Sequence, residues 1–340
     1  MQYYWIDPLN DSRWAAFVAH HPLSSVFHSP AWLRALYQKY GFKPVVFTTS
    51  PPGQVLTNGI PFCRVNSILT GSRLISLPFS DHCQPLTDPE NLIDMAQAMM
   101  ATLKYERLKY IELRPVMATT LDGFTCFKRY YLHLLDLRPS LNEIFRKLHP
   151  DCIRRKIRRA EREGLTSEAG RSDVLLDEFY ALQVATRHRF GLPPQSRQWF
   201  KNVMDAMGEN AIIRVARYQG RPVAAIMMLQ HKRTAIYKYG CSNASDNMRG
   251  GTQLILWQAI EDAKAMGMET MDLGRCDIDN RGLMIFKERW GAKRQEVKYL
   301  VYPARRSYSN RSLRIAAGIL AKFPKPIFTL IGRLFYRHIA

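Results

Sequence analysis

The stretch that decides the fold lies at residues 237–291. It contains four short sequences, which read Tyr237-Lys-Tyr-Gly-Cys-Ser242, Arg249-Gly-Gly-Thr-Gln253, Met271-Asp-Leu-Gly274 and Gly282-Leu-Met-Ile-Phe-Lys-Glu-Arg-Trp-Gly291. Their apolar spacing and their glycines predict, in order, a strand, a glycine turn, a helix, a strand, a loop and a short helix. This order places a Gly-Gly helix start, an aspartate at a strand end and a lysine on a short helix near one another.

Further strands surround this stretch, and a hairpin turn at Gln219-Gly220 joins the first two of them. The predicted segments of this half are strands at 211–218, 222–230 and 234–240, a helix at 250–266, a strand at 269–273, a helix at 283–290 and a strand at 294–301. The order β-β-β-α-β-α-β is not the strict alternation of a Rossmann fold. It predicts a mostly antiparallel sheet whose central strands part at a helix N-terminus.

The rest of the chain predicts a second domain. A length of 340 residues is typical of two domains, and a capping box of Ser140 and Glu143 begins a new helix pair. The first third predicts helices at 12–19, 30–40 and 88–105 and strands at 44–49, 55–65, 74–77, 110–114 and 130–137. We therefore predict an α/β (α+β) protein with domains at 1–138 and 139–303. Each is a mixed, mostly antiparallel sheet flanked by helices, and a basic helical tail follows at 304–340.

The composition is that of a globular protein, with 46% hydrophobic and 23% charged residues. The six cysteines form no C-x-x-C pair and no zinc spacing, which indicates reduced thiols and predicts no metal site. The N-terminus lacks the basic and apolar regions of a signal peptide. No apolar run approaches the ~20 residues that span a bilayer. These features predict a cytoplasmic protein.

The net charge of +20 is concentrated at the C-terminus, where residues 298–340 hold nine Lys and Arg and no Asp or Glu. Basic surfaces attract phosphates of RNA, of anionic lipid or of a phosphorylated cofactor. A predicted helix begins at Pro326. Its apolar stripe and the flanking basic residues are Ile327, Leu330, Ile331, Leu334 and Phe335 with Lys325, Arg333 and Arg337. This pattern predicts either a helix on the anionic inner membrane face or a helix packed on its own domain.

Four residues at the predicted start of helix 250–266 are candidates for holding an anion: Arg249, Gly250, Gly251 and Thr252. A helix start leaves backbone N–H groups unpaired and carries the positive end of the helix dipole. Glycines let a ligand approach the backbone closely. The alternative is a tight turn that precedes a helix and binds nothing.

Three side chains of the same stretch are candidates for chemistry. Lys287 can neutralise a phosphate or the charge that develops on a tetrahedral intermediate, or it is a solvated surface lysine. Asp272, at the predicted strand end, can orient an amine or a lysine, or it caps the following turn. Tyr237 and Tyr239 alternate on one strand and should share a face. The hydroxyl of Tyr239 is a candidate acid or donor, and the alternative is a core tyrosine.

Two further pairs complete the candidate site. Asp81 and His82, in the loop Pro78-Phe-Ser-Asp-His-Cys-Gln-Pro85, are candidates for accepting the proton of an attacking amine, or form a surface turn. Arg154 and Arg155 belong to a basic helix, Asp151-Cys-Ile-Arg-Arg-Lys-Ile-Arg-Arg159, which suits a diphosphate or an RNA backbone, or is a solvated face.

Taken together, these segments resemble the FemAB-like branch of the GNAT acyltransferase superfamily, the group that includes the BioF2-like acetyltransferase domain. The resemblance covers most of residues 20–302. It rests on Leu148 to Gly164, Pro78 to Leu86, Tyr237 to Ser242, Met271 to Gly274 and Gly282 to Gly291.

The resemblance implies two tandem GNAT-like domains and transfer of an acyl or aminoacyl group to an amine. It implies that Lys287 lies in the acceptor or donor channel and that Arg249 to Thr252 stand where GNAT enzymes bind pyrophosphate. The chain departs from the full Q/R-x-x-G-x-G/A signature there. It also lacks the helical-hairpin insertion of some tRNA-binding members, so tRNA is the less expected partner.

The leading hypothesis is an N-acyltransferase that uses acyl-CoA and acts on an amine of a cell-envelope sugar, peptide or lipid-linked precursor. In it, Asp81 or His82 takes the proton, while Lys287 and the Gly250-Gly251 backbone stabilise the oxyanion. One alternative is a transferase that builds peptidoglycan bridges from aminoacyl-tRNA. The other is a non-catalytic protein that binds RNA or an anionic membrane.

Overall fold

The computed structural model describes residues 2–305 and 317–338, and the chain divides into two compact units. The described part of the first unit is 2–130 with 296–305 and 335–338, and that of the second is 131–295 with 317–334. The limits predicted at 138 and 303 remain predictions. Residues 306–316 and 339–340 of the predicted tail lie outside the described residues.

The first unit is a sheet flanked by helices. Its strands are Tyr4–Ile6 (β1), Lys43–Thr48 (β2), Ile60–Ser67 (β3), Gly71–Ile75 (β4) and Ile111–Leu113 (β5), and its helices are Ser12–His20 (α1), Pro30–Tyr40 (α2) and Pro89–Tyr105 (α3). Strands β1 to β4 are antiparallel neighbours, and β5 is parallel to β4. Helix α2 begins with Ser29 as its cap and Pro30 in its first turn, and it ends at Gly41 in the left-handed region, as its sequence predicts.

The strand predicted to begin at residue 55 begins five residues later in the chain, at Ile60. The amide oxygen of Asn58 accepts hydrogen bonds from the Thr49 backbone N–H at 3.0 Å and from the Thr48 hydroxyl at 3.1 Å. These side-chain contacts hold residues 49–58 as a turn, because Asn and Thr side chains compete with the strand ladder for backbone groups.

The second unit contains the stretch that opened the sequence argument. Its strands are Thr125–Asp136 (β6), Thr166–Gly170 (β7), Ala211–Tyr218 (β8), Arg221–His231 (β9), Thr234–Ser242 (β10), Thr270–Asp277 (β11) and Lys293–Tyr302 (β12). Its helices are Leu141–Lys147 (α4), Arg155–Arg162 (α5), Asp173–Arg189 (α6), Arg197–Met207 (α7), Gly251–Ala265 (α8), Arg281–Glu288 (α9) and Lys325–Phe335 (α10). Strands β6 and β12 contribute residues to both units, and β12 pairs with β5 in the first.

The sheet of the second unit is mostly antiparallel, as predicted. Strands β7, β8, β9 and β10 are antiparallel neighbours, whereas β10 and β11 run parallel, and β6 lies next to β11. The sequence did not predict β7. This edge strand reads Thr166-Ser-Glu-Ala-Gly170 and has no large apolar side chain to reveal a buried face.

Helices cover both faces of this sheet. Ala224, Ile226 and Met228 of β9 belong to one buried cluster with the apolar faces of α5 and α8. The alternate residues Ala225 and Leu229 are equally buried but lie outside that cluster, on the other face. A one-residue slip of β9 would move every one of its side chains to the opposite face of the sheet. Both buried faces would then have to repack, so the register around β9 and β10 is strongly specified.

Candidate functional site

Strands β10 and β11 lie side by side only at their first residues. Their parallel register joins Thr234–Ile236 to Thr270–Asp272. In the described chain it extends no further, although β10 continues to Ser242 and β11 to Asp277. The facing edges beyond this point form a gap in the sheet, as the sequence predicts. Strand edges at a gap present backbone N–H and C=O groups that an extended ligand can pair with.

A β-bulge marks the point where the strands part. The register of β10 on β9 joins Tyr237 to Met228 and Tyr239 to Met227, so Lys238 is the extra residue. The shared face predicted for the two tyrosines is therefore wrong. Tyr237 packs against the α5–α8 cluster, whereas the hydroxyl of Tyr239 accepts a hydrogen bond from Trp199 Nε1 of α7 at 3.0 Å. The inserted residue breaks the two-residue alternation on which the prediction rested.

The two tyrosines also differ in what their hydroxyls can do. Burial raises the pKa of the Tyr237 phenol far above its ordinary value, so this group stays protonated at neutral pH and is a donor, not a base. The half-buried ring of Tyr239 lies edge-on to Phe200, with 5.1 Å between the ring centroids. Tyr239 is thus fixed by α7, and its role as acid or donor remains a prediction.

Helix α8 begins at Gly251 immediately after Gly250, which adopts a φ of +85° in the left-handed region. A Cβ atom on Gly250 would lie 2.3 Å from the backbone oxygen of Lys156 in α5. A side chain is therefore excluded at this position by neighbouring backbone as well as by the dihedral angle. The first turn of α8 has no side-chain cap, and the first N–H groups of any helix lack intrahelical partners.

Arg249, in contrast, forms ion pairs and a ring contact with neighbouring side chains. Its guanidinium lies 3.1 Å from a Glu163 oxygen and 3.0 Å from an Asp246 oxygen, and it stacks over the ring of Tyr218 at 3.8 Å. Two carboxylates already balance this charge. An anion at the start of α8 would therefore depend on the N–H groups of residues 251–253 more than on Arg249.

Lys287 is buried, with 3% of its surface exposed. Its Nζ atom donates hydrogen bonds to the backbone oxygens of Gly274 at 2.7 Å and Arg275 at 2.9 Å. These carbonyls belong to β11 beyond the end of its register with β10. A buried ammonium group is costly to desolvate and is rarely retained in a core without a role. The surface reading of Lys287 is therefore wrong, while its role in catalysis remains a prediction.

Asp272 lies inside β11 and not at its end, because the strand continues to Asp277. The predicted end at residue 273 is wrong. Gly274 has a φ of +74°, and its N–H donates to the Asp272 carboxylate at 2.6 Å, so a turn-like kink occurs within the strand. Asp272 and Lys287 thus contact the N–H and the C=O of the same glycine. They position this kink together, at the gap between β10 and β11.

His133, which the sequence did not single out as a candidate, lies on β6 and is fully buried. Its Nδ1 atom is 3.9 Å from Cys276 Sγ. In the described part of the chain, its Nε2 atom has no hydrogen-bond partner. Burial, followed by the positive charge of Lys287, lowers the pKa of His133. The signal in the sequence was a single histidine within the apolar run Tyr131-Leu-His-Leu-Leu135.

Acidification is expected to destabilise the protein through His133. Because its folded pKa is lowered from 6.5, the histidine is neutral in the folded state but takes up a proton on unfolding below that pH. Its contribution is present above about pH 6.5 and is lost, by up to ~1.4 kcal/mol per pH unit, as the pH falls. Urea unfolding near neutral pH and at mildly acidic pH should show this slope reduced in His133→Gln. Equal slopes in the two proteins would contradict it.

Arg154 and Arg155 lie at the start of α5, where Pro150–Arg154 form one π-helical turn. Arg155 is exposed and pairs with Asp151 at 3.4 Å. Arg154 is half-buried, and its Nε atom is buried with no hydrogen-bond partner among the described residues. Single π-helical turns recur at functional sites. Arg154 is thus the better placed of the two to meet a ligand, and substrate binding by both remains a prediction.

Asp81 and His82 belong to the first unit, in a loop with an unusual backbone. Leu77 and Phe79 adopt φ values of +63° and +62°, which non-glycine residues rarely do. The buried guanidinium of Arg114 holds this turn by donating to the oxygens of Leu77 at 2.7 Å and Ser80 at 3.1 Å. Strain of this kind persists only where the surroundings hold it in place, and it occurs often at functional sites.

The two candidate proton acceptors of this loop differ in exposure. Asp81 is half-buried, and its backbone oxygen accepts a hydrogen bond from the Tyr299 hydroxyl at 2.9 Å. His82 is buried and lies edge-on to the Phe27 ring, at 5.3 Å between the ring centroids. The reading of His82 as a surface histidine is therefore wrong. The structure thus leaves the carboxylate of Asp81 as the more accessible of the two, and both roles remain predictions.

The structure brings the candidates together in part. Asp272 and Lys287 meet at Gly274, and the Arg249 to Thr252 turn packs on α5, the helix that follows Arg154. Across residues 2–305 and 317–338, no group of three or more His, Cys, Asp or Glu side chains is arranged to hold a metal ion. Over the same residues, no helix combines the length and the apolar character needed to cross a bilayer.

Comparison with protein families identifies one domain. Residues 151–288 match the model described as an acetyltransferase (GNAT) domain. This range includes α5, the bulged β10, the start of α8, β11 and Lys287. No curated protein sequence matches the chain significantly.

Comparison with solved structures extends the likeness to nearly the whole chain. The crystal structure of FemX is similar with a TM-score of 0.70 at 16% identity, covering 92% of this chain and 98% of that one. A tandem GNAT protein from the clavulanic acid biosynthesis pathway has a TM-score of 0.56 at 10% identity, covering 90% and 100%. L-PGS from Bacillus licheniformis has a TM-score of 0.51 at 18% identity, covering 87% and 98%. The predicted tandem fold is therefore confirmed.

Proposed function

We propose that this chain is an acyltransferase that transfers an acyl group from acyl-CoA to an amine, because residues 151–288 match an acetyltransferase (GNAT) domain. The acceptor is an amino group of a cell-envelope sugar, peptide or lipid-linked precursor. The observation that carries the proposal is the gap between β10 and β11. The buried Lys287 donates to carbonyls of β11 beyond the end of its register with β10, and α8 begins shortly after β10 ends.

The residues at the gap suit the donor. An acyl-CoA presents two amide groups in an extended arm and a diphosphate at its far end. The edges of β10 and β11 beyond their shared register can pair with such amides as a strand would. The N–H groups of Gly251 and Thr252, with the positive end of the α8 dipole, suit the diphosphate. Gly250 keeps this helix start free of a side chain.

The chemistry follows from these positions. The acceptor amine attacks the thioester carbonyl, a C–N bond forms, and the C–S bond breaks with release of a thiolate that takes up a proton. Lys287 supplies a fixed, buried positive charge for the tetrahedral oxyanion, and a charge held in a dry site stabilises it more than one in water. The proton of the attacking amine passes to a base, and Asp81 and His82 remain the candidates for that role from the sequence. His133, kept neutral by burial and by Lys287, adds no competing charge.

A second donor is favoured by one comparison, because the fold of FemX covers 92% of this chain. Under this alternative the donor is an aminoacyl-tRNA and the product a peptidoglycan bridge. The basic helix α5 and its start at Arg154 and Arg155 would then contact the RNA backbone. The two donors share the oxyanion chemistry at Lys287, so they differ in binding and not in mechanism.

Binding of the donor is expected to stabilise the folded protein measurably. At a concentration near 100 Kd, a ligand adds about 2.7 kcal/mol to the unfolding free energy. Acetyl-CoA and longer acyl-CoAs should therefore raise the Tm by several degrees, and thiol release should depend on an added amine. A shift with aminoacyl-tRNA but with no acyl-CoA would favour the bridge-forming alternative. A protein that binds RNA or lipid yet releases no thiol from acyl-CoA and transfers no aminoacyl group would contradict both.

A further inference from the structure

Helix α10 carries apolar side chains on two of its sides. One side packs on the second unit: Phe328 is fully buried, and its ring lies edge-on to His188 of α6, with 4.9 Å between centroids. Gly332 lies on the same side and lets the helix approach closely, because a Cβ there would lie 2.2 Å from the backbone oxygen of Pro194. The His188 ring also donates from Nε2 to the Phe323 oxygen at 2.8 Å. These contacts fix which face of α10 points away from the protein.

The other side of α10 is an apolar stripe that the fold leaves exposed. Ile327, Leu330 and Leu334 follow one another at helical spacing and share one face. Their exposures are 47%, 52% and 56%. Phe323, just before the helix, is exposed to 38%. An ordered helix that buries one apolar side and presents a second is unusual in a monomeric protein and marks an interaction surface.

The charges around the stripe indicate what covers it. Lys322, Lys325, Arg333 and Arg337 are all exposed, and residues 298–340 contain no Asp or Glu. A second copy of the chain, placed by a two-fold axis, would bring this basic face against itself. Base stacking of single-stranded RNA needs aromatic platforms, whereas Ile327, Leu330 and Leu334 are aliphatic, with Phe323 and Phe335 exposed at the two ends of the stripe. Aliphatic side chains rimmed by Lys and Arg match the interface of an anionic bilayer.

We infer that α10 docks the protein on the surface of an anionic phospholipid membrane, with Ile327, Leu330 and Leu334 inserted between the acyl chains. The basic side chains contact the headgroups, while Phe328 and Gly332 keep the helix attached to the second unit. The surface is distinct from the gap between β10 and β11, so this inference stands whether the donor is acyl-CoA or aminoacyl-tRNA. Membrane docking explains why α10 keeps an apolar stripe that is not buried in the core of the protein.

The test is co-sedimentation of the full chain with vesicles of phosphatidylcholine, with or without phosphatidylglycerol. Wild type should bind the anionic vesicles and lose affinity with added salt. Replacing Ile327, Leu330 and Leu334 by Ser together is expected to weaken binding at least about tenfold. Replacing Lys325, Arg333 and Arg337 by Gln is expected to do the same and to remove the phosphatidylglycerol dependence. Neither set should lower the Tm by more than a few degrees, because these side chains are exposed.

A matched control changes equally exposed apolar side chains elsewhere: Val55→Ser, Ile93→Ser and Val174→Ser, with exposures of 84%, 46% and 65%. This control should bind vesicles like wild type. Absence of wild-type binding to anionic vesicles would overturn the inference, as would full binding by the Ile327, Leu330 and Leu334 variant. So would a dimer in sedimentation velocity that this variant dissociates, or RNA binding that the basic variant loses while its lipid binding is unchanged.

Discussion

Replacing Lys287 by methionine is expected to lower kcat at least about 100-fold, because removing one group that stabilises an oxyanion costs a factor of this size. Methionine keeps the unbranched side chain of Lys287 and removes its charge and its hydrogen bonds to Gly274 and Arg275. The KM for the donor should change little if the charge acts mainly on the transition state. Steady-state kinetics over a range of acyl-CoA concentrations would separate the two constants.

The same change is also expected to lower stability. Lys287→Met leaves the buried carbonyl oxygen of Gly274 and the partly buried one of Arg275 without this donor, and loss of a buried partner costs about 1–3 kcal/mol. A loss of activity could then reflect partial unfolding. Rates must therefore be measured below the onset of the thermal transition, with the folded fraction checked by circular dichroism.

Lys264 provides a matched control for Lys287. Its Nζ atom, on α8, also donates to two backbone oxygens, those of Leu137 at 2.6 Å and Arg138 at 3.3 Å. Lys264→Met should lower the Tm by a similar mechanism and leave kcat within a few-fold of wild type. Equal losses of kcat in the two variants would show that Lys287 acts only through stability and would remove it from the candidate site.

Most of the second unit could be predicted from the sequence, because its apolar residues recur at regular helical or strand spacing. The hairpin at Gln219-Gly220, the long helix α8 and the alternating strands β8 to β10 all match the predicted segments within a few residues. The periodic spacing of apolar residues indicates that one face of an element is buried, and each of these elements buries such a face. Strand β7 escaped prediction because an exposed edge strand of small polar residues has no such signal.

The local features of the candidate site were harder to predict because tertiary contacts determine them. The bulge at Lys238 depends on how β10 pairs with β9, which no spacing within β10 encodes. The burial of Lys287 depends on two carbonyls of β11 that are distant in sequence. His133 has a sequence signal, because it is a polar residue at an inward position of an apolar strand, but a single buried histidine does not by itself indicate a functional site.

Replacing Gly250 by alanine is expected to destabilise the protein by about 2–5 kcal/mol. The φ of +85° costs a non-glycine residue about 1–2 kcal/mol. Overpacking against the Lys156 backbone, 2.3 Å from the added Cβ, costs about 1–3 kcal/mol further. Backbone cannot rotate away as a side chain can, so α5 and α8 must separate. The Tm should fall by roughly 4 °C or more for a unit of this size.

Gly220→Ala isolates the packing part of this effect. Gly220 has a φ of +74°, and no heavy atom lies within 4 Å of its added Cβ. The cost there should stay near the ~1–2 kcal/mol of the dihedral angle alone. Unfolding in urea would measure both variants. Equal losses of unfolding free energy in the two variants would mean that α5 moves aside at no energetic cost. Close packing against Lys156 would then not explain why residue 250 is a glycine.

Gly251→Ala separates packing from ligand binding at the start of α8. An added Cβ there would lie 3.1 Å from a methyl group of Val223, and the position requires no positive φ. A side-chain neighbour can shift by a few tenths of an ångström, so the stability cost should be below about 1.5 kcal/mol. The methyl would point at Val223, Ala224 and Ala216 of the buried α5–α8 cluster and would leave the N–H groups of the turn open, so the Kd for acyl-CoA should stay close to that of wild type. A stable Gly251→Ala protein whose Kd for acyl-CoA is raised about tenfold would contradict this geometry.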